Sequence, residues 1–115
     1  MERSICRHIL PMNIRFFHPD IEKFIHTLPN QAYAKTMHTL ELLEKFGYLL
    51  RMPHSKYVLP RLFELRISGQ LPVRLFYTFH QKTALLLHGF LKKSQKAPQQ
   101  EIAIAQQRIK ELDQI

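Results

Sequence analysis

Within Arg61–Lys96 the chain reads as three consecutive strands joined by two tight turns. In the first, Phe63, Leu65 and Ile67 point one way, and Glu64 and Arg66 point the other. That is the period-two alternation of a half-buried strand. In the second, Val73, Leu75 and Tyr77 share a face, and Arg74 and Phe76 share the opposite one. Ser68-Gly69-Gln70-Leu71-Pro72 between them is a turn cluster. A symmetric hairpin then sets Arg66 directly across from Arg74. Like charges in that relation repel, so the pattern implies an anionic partner. The third strand, Ala84–Phe90, is nearly all apolar and should be the most buried or central.

The period changes to that of a helix upstream. Asn13–Phe17 reads as a first strand. Pro19 opens a helix, with Asp20 and Glu22 in its first turn and Ile21, Phe24, Ile25 and Leu28 as its apolar stripe. Pro29 ends it, and Asn30 can cap a second helix over Gln31–Phe46. The expected stripe there is Tyr33, Met37, Leu40, Leu43 and Phe46, with Gly47 as terminator. These stripes predict a helical hairpin over the apolar face of the sheet, with Met37 in the core. Leu49–Pro60 reads as a loop or a short extended piece between prolines. After Pro98 a last helix carries Ile102, Ala105, Ile109 and Leu112 on one face. Arg108 and Lys110 fall in its later part, where the helix dipole favours cations. The two periods together predict an α+β fold in the order β-α-α-β-β-β-α, with three or four mainly antiparallel strands. Met1–Pro11 has no clear period and reads as either an extra strand or a loose arm.

At 115 residues the chain fits one domain and one modest core. The single cysteine, Cys6, excludes an intrachain disulfide framework and suits a reducing cytoplasm. No run approaches the ~20 apolar residues of a membrane span, and no signal peptide is visible. The net charge of +8 is informative through its location. Arg51–Lys96 holds nine basic residues and one acid, Glu64, and so carries the whole +8. A basic charge confined to a sheet and its flanks is the footprint of a polyanion site.

The candidate chemistry is correspondingly narrow. The seven histidines are scattered, and no Cys/His spacing of zinc type, Gly-rich phosphate loop or G-x-S-x-G context occurs. A positive sheet suits RNA cleavage without a metal or other cofactor. In that reaction the 2′-hydroxyl attacks the adjacent phosphate, and fixed arginines stabilise the charge that builds on the phosphoryl oxygens. A base must take the 2′-proton and an acid must protonate the leaving 5′-oxygen. His54, His88 and Tyr57 are of the right type, histidine because its unperturbed pKa lies near ~6.5. His88 shares the face of Arg74 if the turn around Gln81 has three residues. With a two-residue turn it points into the core beside Leu75. Tyr77 shares the face of Val73 and Leu75 and reads as structural.

Leu62-Phe63-Glu64-Leu65-Arg66 is similar to the L-W-E-L-R strand of RelE/ParE-type toxins, in particular their HigB-like, phage-derived branch. Arg74-Leu75-Phe76-Tyr77 looks like that family's R-x-x-Y strand. Leu87-His88-Gly89-Phe90-Leu91-Lys92-Lys93, followed by Lys96 and Pro98, resembles its L-H-G-F-x-K-K-x-x-K-x-P signature. Glu101, Ile102, Ala105 and Arg108 fit the helix that follows. No single block is specific, but the ordered set over about Met12–Leu112 is. Phe63 stands where tryptophan is usual.

The resemblance implies a RelE-like toxin domain over residues 1–115, with 1–11 as an N-terminal extension and Met12 as an alternative start. It implies ribosome-dependent cleavage of mRNA by the toxin of a type II toxin–antitoxin system. By motif position Arg74 contacts the scissile phosphate, and Lys92 and Lys93 are the basic pair ending the last strand. Arg66 is a further strand arginine, with Lys56, Tyr57, Arg61 and Lys96 as RNA contacts, and His88 and His54 as proton carriers. Glu64 is a departure from members that work mainly with lysine, which have a base about there. The implied partners are ribosome-bound mRNA and an antitoxin, a helix-turn-helix protein in a hetero-oligomer with the toxin. Two other functions fit the same fold: a non-enzymatic ParE-like inhibitor of DNA gyrase, and an inactive RNA-binding module. The ParE branch generally lacks the basic set of Arg66, Arg74, Lys92 and Lys93.

Overall fold

The computed structural model describes residues 12–93 and 98–114. Its elements run β1 (Asn13–Phe16), α1 (Pro19–His26), α2 (Asn30–Phe46), a 3-10 turn (Gly47–Leu49), β2 (Ser55–Leu59), β3 (Leu62–Ile67), β4 (Val73–His80), β5 (Thr83–Leu91) and α3 (Gln99–Asp113). This is the expected α+β architecture with one strand more. β2 forms inside the segment read as a loop or a short extended piece; it takes the extended form and pairs antiparallel with β3 at one edge of the sheet. Five strands stand in the order β1-β5-β4-β3-β2, and only β1 runs parallel to its neighbour. No helix among the described residues is long and apolar enough to cross a membrane.

The two faces of the sheet bury different things. Leu65, Ile67, Val73, Leu75, Tyr77 and Leu86 face α1 and α2. On that side Tyr77 is buried and its hydroxyl is hydrogen-bonded to Ser55. Burial pushes the phenol's pKa up, although the Ser55 bond opposes it. Gly89 lies under α1, where a Cβ would stand 2.6 Å from the Phe24 ring and 2.8 Å from Leu75. The opposite face packs Leu62, Phe76, Leu85, Leu87 and Phe90 against Ala105 and Ile109 of α3.

Two local expectations are corrected. Asn30 is the first residue of α2 rather than its cap, and Pro29 precedes the helix with no side-chain cap bond. The buried stripe of α2 is Thr36, Thr39, Leu40 and Leu43, while Met37 and Phe46 are exposed. Thr39 satisfies its hydroxyl by bonding back to Lys35 O at 2.8 Å, whereas the Thr36 hydroxyl has no partner among the described residues. Arg108 lies in the later part of α3, as expected. Its side chain turns to the sheet and donates to Leu87 O at 2.6 Å and to both carboxylate oxygens of Asp20.

Candidate functional site

The β3–β4 hairpin has the expected register, with Arg66 paired across from Arg74. Both point to the α3 side of the sheet, the face that carries Phe76. The required anion is supplied first by the chain itself. Glu64, on the same face of β3, is buried, with its carboxylate 3.8 Å from Arg66 Nε and 3.9 Å from Arg74 Nε. These are ionic contacts too long for hydrogen bonds. Arg74 is the more enclosed arginine, its side chain 12% exposed against 31% for Arg66. It donates through Nη1 to its own strand, Val73 O at 2.9 Å, and its buried Nε has no hydrogen-bond partner among the described residues. Burial pushes the Arg74 pKa down, Glu64 opposes this, and Arg66 adds to it. An enclosed cation with an unused donor is poised for a charged acceptor.

A cavity of about 320 Å³ opens here, walled by Arg66, Arg74, Pro53, Pro72, Ser68 and Gly69 among others. Lys92 is fixed at its rim, since its backbone N–H donates to Pro72 O at 2.8 Å. A second cavity of about 400 Å³ lies on the other side of Arg66. His54 lines it, and His54 O accepts from Arg66 N at 2.8 Å, which ties this residue to β3. Lys35 and His38 of α2 complete the basic lining. They are absent from the sequence-derived set, because the stripe through Met37 turns them away from the sheet. Their i, i+3 spacing was the available signal.

His88 arrives by an unexpected route. The turn after β4 has two residues, Gln81 and Lys82, both with positive φ. On a regular ladder that would send His88 into the core beside Leu75. Instead the register slips: Phe76 pairs with His88 and Tyr77 with Leu86, leaving Leu87 as an extra residue. This bulge returns His88 to the face of Arg74. There His88 stacks on Phe90 at 5.8 Å, and its Nε2 lies 2.5 Å from Glu101 Oε1 in the first turn of α3. It is thus tied to α3 and lines neither cavity.

The remaining candidates divide. Lys56 pairs with Glu64 and so shares its face, exposed on the edge strand. Tyr57 takes the other face and packs edge-on against Phe63. Arg61 sits in the β2–β3 turn, at the far end of β3 from Arg66, in a two-bond ion pair with Asp113. Lys93 is exposed just past β5. Lys96 lies outside the described residues. The arrangement therefore brings together Arg66, Arg74, Lys92 and His54, and sets Tyr57, Arg61 and His88 apart.

The backbone is similar to a chain in the crystal structure of the archaeal RelE–RelB complex from Pyrococcus horikoshii OT3, with a TM-score of 0.56 and 18% identity. That similarity covers 76% of this chain and 99% of the other and establishes a shared fold. No curated protein matches the chain. Residues 23–110, from α1 through most of α3 and including both arginines and their cavity, match the family described as phage-derived protein Gp49-like (DUF891), and the chain belongs to that family.

Proposed function

We propose that this protein is the toxin of a type II toxin–antitoxin system, of the HigB-like branch, and that it cleaves mRNA on the ribosome. The observation that carries the reading is the cross-strand pair Arg66–Arg74 walling one cavity, with the Arg74 Nε unpaired among the described residues. A phosphodiester entering that cavity meets two guanidiniums held by strand backbone rather than by a loop. Preorganised donors of this kind act where transition-state charge develops and need no rearrangement during reaction. Arg74 and Arg66 hold the non-bridging oxygens. The 2′-oxygen attacks phosphorus, the P–O5′ bond breaks, and a cyclic phosphate and a 5′-hydroxyl result. Lys92 at the rim supplies further positive charge, and Lys93 extends it beyond the strand. His54, on the other side of Arg66, is the histidine best placed to carry a proton. His88 serves as a positioning residue, holding the first turn of α3 against β5.

Residues 1–115 act as one domain in this reading, and the protein needs no cofactor. Its partner is an antitoxin of helix-turn-helix type, by analogy with the RelE–RelB pairing of the archaeal complex. Such a partner would silence the toxin by filling the basic cavity or by blocking entry to the ribosome.

The test is to incubate purified protein with ribosomes programmed with a defined mRNA and to map 5′ ends. New ends within translated codons, dependent on the ribosome, are expected. Inhibition of DNA gyrase without such ends would replace this reading with the ParE-like one. Neither effect would leave an RNA-binding module without activity.

A further inference from the structure

Three cavities adjoin the turn between β3 and β4, and they share walls. Arg66 stands between the Arg74 cavity and the 400 Å³ cavity of His54 and His38. Lys35 stands between that cavity and a smaller one of about 120 Å³, beside Gln31 and Gln70. Ser68 lines all three. The cations thus form a series from the sheet outward: Arg74, Arg66, Lys35. Among the described residues no acidic side chain lines any of these cavities. The acids closest to the series stand behind it: Glu64, 3.8 Å from Arg66 Nε and 3.9 Å from Arg74 Nε, and Glu41, 4.0 Å from His38 on the exposed side of α2.

The Lys35 side chain lies against the turn. Gly69 has φ +130°, and a Cβ there would stand 3.0 Å from Lys35 Nζ. The end of the Lys35 side chain therefore lies over Gly69, in space that a side chain there would share. Lys35 itself is half-buried rather than fully solvated. The 400 Å³ cavity also has apolar walls, Ala34 and Pro53, and is larger than a single phosphate requires. Basic groups alternating with roomy, partly apolar space suit a chain of nucleotides better than an isolated anion.

We infer that Lys35 and Arg66 form a second phosphate subsite, which takes the phosphate next to the one held at Arg66 and Arg74 in a single RNA strand running along the β3–β4 turn. The inference rests on the reading of Arg74 and Arg66 as the phosphate anchors. Arg66 would contact both phosphates, and the intervening nucleoside would occupy the cavity of His38 and His54.

The experiment measures binding of 2′-O-methyl oligouridines, which cannot be cleaved, to the free protein across a range of salt. A dinucleotide carries one phosphate and a trinucleotide two. Wild type is expected to bind the trinucleotide more tightly than the dinucleotide. Lys35→Gln is expected to abolish that gain while leaving dinucleotide affinity unchanged. Its log–log salt slope for the trinucleotide should be shallower by about 0.7, the value for one phosphate contact on a single strand. Lys35→Arg should keep the gain, and Arg74→Ala should weaken both lengths. The inference is overturned if Lys35→Gln binds the trinucleotide like wild type, if it loses the same factor for both lengths, or if wild type binds neither. These results are independent of the ribosome assay. Cleavage with no length effect at Lys35 retains the nuclease and removes the subsite; a length effect without cleavage does the reverse.

Discussion

One face of the sheet carries two arginines that look alike in sequence and are used in opposite ways. At one end Arg108 reaches in from α3 and spends its donors on Leu87 O and on both oxygens of Asp20, while its guanidinium lies 5.6 Å from the centre of the Phe17 ring. At the other end Arg74 is comparably enclosed, yet among the described residues it bonds only its own strand and faces a carboxylate too distant for a hydrogen bond. Side-chain exposure is 16% for Arg108 and 12% for Arg74, so burial does not separate them. Satisfaction does. A guanidinium with its acceptors in place holds a fold together; one with an idle donor beside a cavity is available to a ligand.

The sharpest way to break this contrast is Arg74→Ala. Cleavage should fall by about 10²–10³, the effect of one lost transition-state donor, with little change in unfolding temperature. Arg74→Lys should restore only part of the rate, because lysine keeps the charge and loses the planar fork. Rates on programmed ribosomes beside thermal unfolding decide it. Loss of the fold in Arg74→Ala would make the residue structural and remove the contrast.

Arg108→Ala should give the mirror result. The bulge leaves the Leu87 carbonyl dependent on Arg108, and a buried acceptor without a partner costs about 1–3 kcal/mol. The half-exposed Asp20 pair adds little to that. Cleavage by the folded variant should match wild type. The same variant tests a pH dependence. The hydrogen bond from Arg108 holds the Asp20 carboxyl below its ordinary range. A depressed carboxyl stabilises the fold fully above its unfolded value, about 3.9, and the contribution disappears as pH falls through the lower folded value. Urea unfolding at neutral pH and near pH 3 should show a smaller acid loss in Arg108→Ala than in wild type. An unchanged acid loss would mean that Asp20 is not linked to Arg108.

These two arginines also mark where the sequence was legible. The pairing of Arg66 with Arg74 followed from alternation on both sides of one turn, since a one-residue slip would have put the aliphatic residues in water. The helical hairpin followed from two prolines and two apolar stripes. The side on which His88 lies did not follow. Leu85, Leu86 and Leu87 are all apolar and all buried, so the pattern contains nothing to reveal a bulge among them. Edge strand β2 was left open between a loop and a short extended piece, because its exposed Lys56 and Tyr57 and its flanking prolines fit either. The facing of α2 was missed by about one residue, since buried Thr36 and Thr39 look polar and exposed Met37 looks apolar. That rotation is what concealed Lys35 and His38. Asp20 as partner to Arg108 joins residues 88 apart, and no local pattern contains it.

A smaller effect should come from Glu64→Gln. The carboxylate lies near both strand arginines and offsets their mutual repulsion. Neutralising it should lower the unfolding temperature slightly. It should also tighten binding of RNA by the free protein, by about 1.4- to fivefold, equivalent to the ~0.2–1 kcal/mol of an ionic contact without a hydrogen bond. Fluorescence titration at low salt measures this. Weaker RNA binding with the fold intact would mean that Glu64 orients the arginines rather than competing with the phosphate for them.

Arg61→Ala should have the least effect and is the most useful control. Arg61 belongs to the same basic segment and immediately precedes the strand that carries Arg66, so charge and sequence position alone would class the two together. Its guanidinium is instead occupied by Asp113, through bonds of 2.8 and 3.0 Å, at the end of β3 remote from the cavities. The pair is about half exposed, and such pairs contribute little to stability. Arg61→Ala should therefore melt close to wild type and cleave at the wild-type rate. Its log–log salt slope for RNA binding should also be unchanged, because no phosphate contact is lost. Arg66→Ala, with the same change in net charge, should lower both the cleavage rate and the salt slope. If instead Arg61→Ala and Arg66→Ala weaken RNA binding equally, net charge rather than the placement of free donors governs the interface, and the distinction between satisfied and idle arginines carries no functional weight.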